Sequence, residues 1–291
     1  MIEVICPGSC GELIQGMIQG SEKLISYAIN CYSKVTLTEG RSPFLENWSK
    51  SQQMIEKVLL YYGYSPKEGE EIGITVDSQI PMGKGMASST ADLAATALAM
   101  ATYLNETITQ EEIAILCVEI EPTDSTVFSQ LTLFDHLEGK YKKSYEEPMK
   151  ANVLMLEGVG SINTIGFRKS NHHRLLKEKE SELKEALHFF EKGIKGGDLK
   201  LMGKAATLSA FANQEILYKK ELETLFKISE KLGAAGVNVA HSGTVMGILY
   251  EENQFDLEAM KVLLKQERFR PYYPANKTYE IIQGGPRVIT K

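Results

Sequence analysis

The spacing of apolar and polar positions divides the chain into short strands and amphipathic helices. Ile2 to Ile5 is β-prone and runs into Pro7-Gly8-Ser9, which has turn chemistry. Ile25 to Leu37 reads as two further strand-like stretches on either side of Asn30. From Ser51 to Tyr62, the residues Met54, Ile55, Val58, Leu59 and Tyr62 recur at helical spacing and predict one buried face. Glu71 to Ile80 alternates as a strand does, and Pro81-Met82-Gly83-Lys84-Gly85 then interrupts regular structure. An Ala-rich helix is predicted over Ser88 to Leu104. Another is predicted over Thr109 to Ile120, with Glu111 and Glu112 in the first turn, where the helix dipole favours acids.

The second half begins with the apolar run Ala151 to Leu156, a predicted buried strand. Helices are expected over Arg174 to Lys192, Leu199 to Gln214 and Glu221 to Leu232, and strands over Val237 to Ala240, Val245 to Tyr250 and Tyr279 to Ile282. The polar stretch Leu137 to Lys150, which contains Pro148, is the expected division between a domain of residues 1–145 and one of residues 146–291. No internal repeat or low-complexity tract interrupts this pattern. Strands cluster without regular βαβ alternation, which makes the fold class α+β.

Composition adds exclusions. At 291 residues, 43% hydrophobic and 24% charged, the chain can bury a sizeable core. A net charge of -6 and a pI near 5.6 offer no basic surface, so no nucleic-acid partner is expected. A polyanionic nucleotide can still bind through backbone N–H groups and a metal. The longest weakly polar run, Ala91 to Tyr103, is too short and too polar to span a bilayer, so no membrane partner is expected. Cys6, Cys10, Cys31 and Cys117 match no CxxC pattern and do not read as a disulfide framework. The N-terminus lacks a basic region followed by a long apolar one. Both features predict a reduced, cytoplasmic setting.

The richest chemistry lies in Pro81 to Thr90. A strand feeds a loop with two glycines, and a helix follows. Glycine permits positive φ and close backbone approach to a ligand. The first N–H groups of the helix face that loop, so the segment is a candidate phosphate site. A Walker A loop needs its Lys directly before a Ser or Thr, whereas Lys84 precedes Gly85. A dinucleotide fingerprint needs a third Gly where this chain has Ser88, and its acidic candidate, Glu106, follows a helix instead of a strand. Ser89 to Asp92 also fits a capping box with Asp in place of Glu, so Ser89 has a plain capping reading as well.

Glu119, Glu121 and Asp124 surround Pro122 and fall at the end of the preceding helix. Acids are disfavoured at a helix C-terminus, so a compensating cation is expected, and a bound metal is a natural candidate. Solvated acids are the plain alternative.

Pro81, Gly85, Met86, Ser88, Ser89 and Thr90 resemble the Pro-x-x-x-Gly-Leu/Met-x-Ser-Ser loop of the GHMP kinase family. Two further segments resemble that family's first and third motifs. These are Ser9-Cys10-Gly11-Glu12-Leu13-Ile14-Gln15-Gly16 and the stretch from Gly233 to Thr244. The Arg and Asn usual in the first motif are missing. There the chain looks most like the bacterial L-threonine kinases of cobalamin side-chain synthesis, with homoserine kinases as the runner-up. In the third motif the usual Gly-Gly is reduced to Val245-Met246-Gly247, which implies looser closure over the nucleotide, and His241 reads as a satisfied turn residue.

The resemblance implies an N-terminal ribosomal-S5-domain-2-like domain with a left-handed βαβ crossover and a C-terminal ferredoxin-like domain. It implies ATP and Mg²⁺ as cofactors and phosphorylation of a small hydroxyl compound, L-threonine first. Pro81, Gly83, Lys84, Gly85, Met86, Ala87, Ser88, Ser89, Thr90 and Gly243 would bind the nucleotide. Ser89 and Glu121 would hold the metal, with Ser88 and Glu119 as alternatives. Asp124 would stand beside the substrate hydroxyl as the catalytic group, and Ser9, Cys10, Gly11, Glu12, Asp124 and Ser242 would bind the acceptor. A non-catalytic ligand sensor of the same fold is the alternative of another class; the presence of Ser89 and both carboxylates argues against it.

Overall fold

The computed structural model describes residues 1–40, 49–161 and 172–290. Its first element is a hairpin far longer than the sequence pattern predicts. Strand β1 spans Ile2–Ile18 and β2 spans Ser21–Glu39. Gln19 and Gly20 join them at φ 51° and 81°, the positive values that a tight two-residue hairpin turn of type I′ needs. The turn expected at Pro7-Gly8-Ser9 is absent. Those residues lie inside β1, where pairing with β2 slips between Pro7 and Ser9, Ser9 and Glu12, and Glu12 and Ile14. Such bulges bend a strand without ending it. The break expected at Asn30 is also absent, since β2 runs through it.

Helix α1 (Ser49–Tyr61), β3 (Ile72–Ser78), α2 (Ser88–Tyr103) and α3 (Gln110–Val118) follow near their predicted places. Two short strands come next, β4 (Leu131–Phe134) and β5 (Lys142–Tyr145). The sequence pattern missed both. Strand β5 lies at the sheet edge with Lys142 and Lys143 exposed, a composition that protects an edge but reads as linker. After β6 (Asn152–Glu157), the expected single helix is divided at Lys179 into α4 (His173–Glu178) and α5 (Glu180–Gly196). Backbone bonds of Lys179 to Leu175 and Leu183 still pass through the division.

Helices α6 (Leu199–Ala212) and α7 (Leu222–Lys231) precede β7 (Gly236–Val239) and β8 (Met246–Tyr250). Helix α8 (Leu257–Leu264), which was not predicted, is capped by Asp256 accepting from the Ala259 N–H. Strands β9 (Ala275–Ile282) and β10 (Arg287–Thr290) end the chain's regular structure.

The ten strands of the described residues form one sheet, in the order β10-β1-β7-β8-β6-β9-β2-β4-β5, with β3 added on β2. Because β1 also pairs with β2, six strands (β1, β7, β8, β6, β9 and β2) close into a ring. Strand β6 shows why its sequence is continuously apolar. Val153 and Met155 join one core cluster while Leu154 and Leu156 join another, so both faces are covered. The larger cluster unites Val4 and Ile29 of the hairpin, Leu93 of α2 and Phe190 of α5. Among the described residues, no helix is long and apolar enough to cross a membrane.

Candidate active site

The loop between β3 and α2 turns through three left-handed positions, Gly83, Gly85 and Ala87, at φ 69°, 81° and 57°. Ala87 is the N-cap of α2 and offers no side-chain bond. The N–H groups of Ser88, Ser89 and Thr90 precede the first helical bond, from Ala91 N–H to the Ala87 carbonyl at 2.9 Å. They remain available to an anion at the positive end of the helix. The capping box from Ser89 to Asp92 does not form. Asp92 instead accepts from the Ser33 hydroxyl at 2.5 Å, and Ser89 donates to the Glu121 carboxylate.

Backbone contacts bring the three motif segments together. Ser9 N–H donates to the Met86 carbonyl at 3.0 Å, and Thr244 and Val245 N–H donate to the Lys84 carbonyl at 2.8 and 3.0 Å. A Cβ on Gly243 would collide with the Lys84 carbonyl and the Gly85 amide, so the second and third motifs meet at contact distance only through glycine. The Lys84 side chain turns elsewhere. Its ammonium lies 2.9 Å from Glu157 Oε1 and donates to the carbonyls of Gly158 and Gly160 at 2.9 and 2.8 Å.

Beyond α3, Glu121 and Glu119 part company. Glu121 accepts from Ser89 and pairs with Lys50 Nζ at 2.7 Å, and the same ammonium lies 3.3 Å from Ser89 Oγ. Glu119 pairs with Lys57 at 2.7 Å, and its side chain is half exposed. The cations expected at this helix end are thus two lysines of α1, neither of which the sequence reading singled out. Asp92 stands near the same group. Burial pushes its carboxyl up to about 6 despite the Ser33 hydroxyl, and the Glu121 charge adds to the rise.

Asp124 is held by α2: its N–H donates to Thr90 Oγ1 at 3.1 Å, and that hydroxyl donates to Asp124 Oδ2 at 3.4 Å. Its carboxylate is hydrogen-bonded to Glu12, whose other bond is from the His241 N–H at 2.6 Å. Burial and the Asp124 charge hold the Glu12 carboxyl well above the usual carboxylate range, against the pull of the His241 N–H. Behind this pair, Lys219 is buried, donates to the Gly243 carbonyl and feels the Glu12 charge. Burial pulls its ammonium down to about 8 while Glu12 opposes the shift. In the sequence, Tyr218-Lys219-Lys220 looks like solvated loop, and only the fold distinguishes the buried lysine from its neighbour.

Pro81, Gly83, Gly85, Met86, Ala87, Ser88, Ser89, Thr90, Glu121, Asp124 and Ser242 all line one cavity of about 110 Å³. His136 and His241 line it too, and His136 was not anticipated. Lys84, Gly243, Ser9, Cys10, Gly11 and Glu12 lie outside that lining. Cys10 is fully buried in the core, and its carbonyl accepts from Tyr27 Oη at 2.8 Å and Asn238 Nδ2 at 2.6 Å. Gly11 presses on the end of β7, where a Cβ would meet Ala240 N at 2.7 Å. A larger groove of about 1170 Å³ contains none of the residues expected to act, and its lining includes Asn30, Tyr145 and Glu280.

Residues 50–130 match the GHMP kinases N terminal domain, and residues 183–261 match the GHMP kinases C terminal domain. The chain is 39% identical over 280 residues to the L-threonine kinase of Citrobacter freundii, covering 96% of this chain and 97% of that one. It is 38% identical over 283 residues to the L-threonine kinase of Salmonella typhimurium, covering 97% and 94%. A homoserine kinase structure from Cytophaga hutchinsonii superposes with a TM-score of 0.71 at 17% identity, over 99% of this chain and 97% of that one. The mevalonate diphosphate decarboxylase of Enterococcus faecalis does so with 0.75 at 12% identity, over 100% and 99%, and both structures show a shared fold. Three motif segments meeting at one helix N-terminus, and near-full-length relatives at this identity, make the chain a member of the GHMP kinase family.

Proposed function

We propose that the protein transfers the terminal phosphoryl group of ATP to the hydroxyl of L-threonine, giving O-phospho-L-threonine for cobalamin side-chain synthesis. The observation that carries this reading is the meeting of Ser89 and Glu121 beside Thr90 and Asp124 at the start of α2. Phosphoryl transfer needs alignment and charge stabilisation more than covalent help from the protein. The N–H groups at the start of α2 and the glycine loop would cradle the phosphates.

The Ser89 hydroxyl and Glu121 carboxylate are hard oxygen donors that already attract the Lys50 ammonium, so they fit Mg²⁺. Bound there, the ion would supply charge neutralisation across the phosphates. Burial and the Asp124 charge favour the neutral form of the Glu12 carboxyl, and Asp124 is the group assigned to accept the acceptor hydroxyl's proton as it departs. Lys219, buried behind that pair and outside the cavity lining, would lend positive potential to the carboxylate of an amino-acid acceptor from there. Residues 1–145 would carry the nucleotide loop and residues 146–291 the closing motif. Four buried, unbridged cysteines support a reducing, cytoplasmic setting.

The test is ADP release with Mg·ATP across L-threonine, L-serine, L-homoserine, mevalonate and galactose. L-threonine is expected to give the highest kcat/KM, the quantity that measures discrimination. Preference for homoserine or for an alcohol that is not an amino acid would reject the acceptor and keep the kinase.

A further inference from the structure

A second cluster of chemistry-bearing side chains adjoins the same cavity and is used by nothing above. Glu22 lies near the start of β2, His136 two residues past β4, and His241 two residues past β7. One ligand atom from each lies within 4.8 Å of the others, and His241 Nε2 is 3.9 Å from Glu22 Oε2. The two imidazoles pack edge to face with centroids 5.1 Å apart. We infer that Glu22, His136 and His241 form a second divalent-cation site, suited to zinc or a similar borderline transition ion, with one position open to the cavity.

Three arguments support this. The first is donor chemistry. Two imidazole nitrogens and one carboxylate oxygen are the set that catalytic zinc sites use with an open fourth position. A hydroxyl and a carboxylate, as at Ser89 and Glu121, suit a harder ion instead. The second is anchoring. The His136 carbonyl accepts from Thr123 N–H at 3.0 Å, the His241 N–H is held by Glu12, and Glu22 pairs with Met17 in the hairpin. Each ligand therefore projects from backbone held by a hydrogen bond or by strand pairing. The third is access. Both histidines line the cavity together with Asp124 and Ser242, so a water or ligand atom could complete the coordination.

Tetrahedral zinc holds its ligands about 3.4 Å apart, so separations of up to 4.8 Å must shorten by as much as about 1.4 Å. Glu22, the most exposed of the three, is placed to provide that movement. Lys23, the nearest lysine in sequence, does not compete, because its ammonium donates to the Ile18 carbonyl and Ser21 Oγ, both at 2.6 Å.

The test uses the untagged full chain, stripped with chelator and held in excess Mg²⁺ without nucleotide. Zn²⁺ is titrated by calorimetry and Co²⁺ by visible absorption. One equivalent of each is expected, with the intense Co²⁺ bands of a tetrahedral site. Glu22→Gln should weaken binding about tenfold or more, and His241→Ala should do so further. Ser89→Ala should leave it unchanged. If His136→Ala fails to fold, Glu22→Gln at the rim still decides. Absence of binding to the native chain would overturn the inference. So would binding that survives Glu22→Gln and His241→Ala, or binding lost in Ser89→Ala.

Discussion

Lys50 Nζ stands 2.7 Å from Glu121 Oε2 and 3.3 Å from Ser89 Oγ, so a protein cation lies against both oxygens proposed to hold Mg²⁺. The Lys50 side chain is nearly half exposed. An exposed ion pair is worth about 1 kcal/mol at most. Lys50 is therefore a displaceable competitor, and Lys50→Met should bind Mn²⁺ about fivefold more tightly in the absence of nucleotide. Electron paramagnetic resonance of free Mn²⁺ measures this directly. Unchanged or weaker binding would show that the ammonium does not compete.

Ser89→Ala should lose most turnover while remaining folded. The Ser89 hydroxyl caps nothing in α2, so its removal should cost the helix little and the proposed metal site one ligand. Circular dichroism and single-turnover ADP formation separate the two effects. Full activity at saturating Mg²⁺ would remove Ser89 from the metal site.

The two carboxylates past α3 should fail differently. Glu121→Gln should weaken productive Mg·ATP binding, and added Mg²⁺ should restore part of its rate. Asp124→Asn should lower kcat by about 10²–10⁴ with little change in nucleotide affinity. If Mg²⁺ rescues Asp124→Asn and not Glu121→Gln, the roles are reversed.

Lys219 predicts a pH dependence. Its ammonium loses its proton near pH 8 in the folded chain, against an ordinary value of 10.5. The charge is present below 8 and lost above it, so KM for L-threonine should rise through that pH. Lys219→Met should raise KM about 10- to 100-fold at neutral pH and remove the protein's share of the pH dependence. The variant thereby separates this titration from that of the acceptor's own amino group. Linkage runs the other way: between about 8 and 10.5 the unfolded chain binds more protons, so this group favours folding more as pH rises. A KM that is flat through pH 8 in the native protein would exclude Lys219 from acceptor binding.

Gly243→Ala tests the meeting of the second and third motifs. Its Cβ has no room between the Lys84 carbonyl and the Gly85 amide. Overpacking of this kind costs about 1–3 kcal/mol. A lowered Tm and a raised KM for ATP are expected together. An unchanged KM for ATP would mean that the nucleotide loop does not depend on this contact.

Local chemistry alone pointed to the loop proposed to bind the nucleotide. A strand, two glycines and a run of small residues starting a helix specify an anion site wherever the chain carries them, because the N–H groups belong to the segment itself. The acids after α3 were legible for the same reason. Tertiary structure decided which acid meets Ser89. Glu119 and Glu121 are chemically alike in sequence. Lys57 and Lys50, about two helical turns apart on α1, draw them to different places, and only Glu121 reaches Ser89. The hairpin's length was also beyond local reading. Pro7-Gly8 and Asn30 resemble breaks, but bulges and cross-strand partners on the closed sheet carry both strands through them. Glu12, Asp124 and Lys219 meet only because β1, the turn after α3 and the loop after α6 converge, and burial then raises the Glu12 carboxyl and lowers the Lys219 ammonium. Burial depends on what the rest of the chain places around a residue, so no local pattern could have distinguished Lys219 from Lys220.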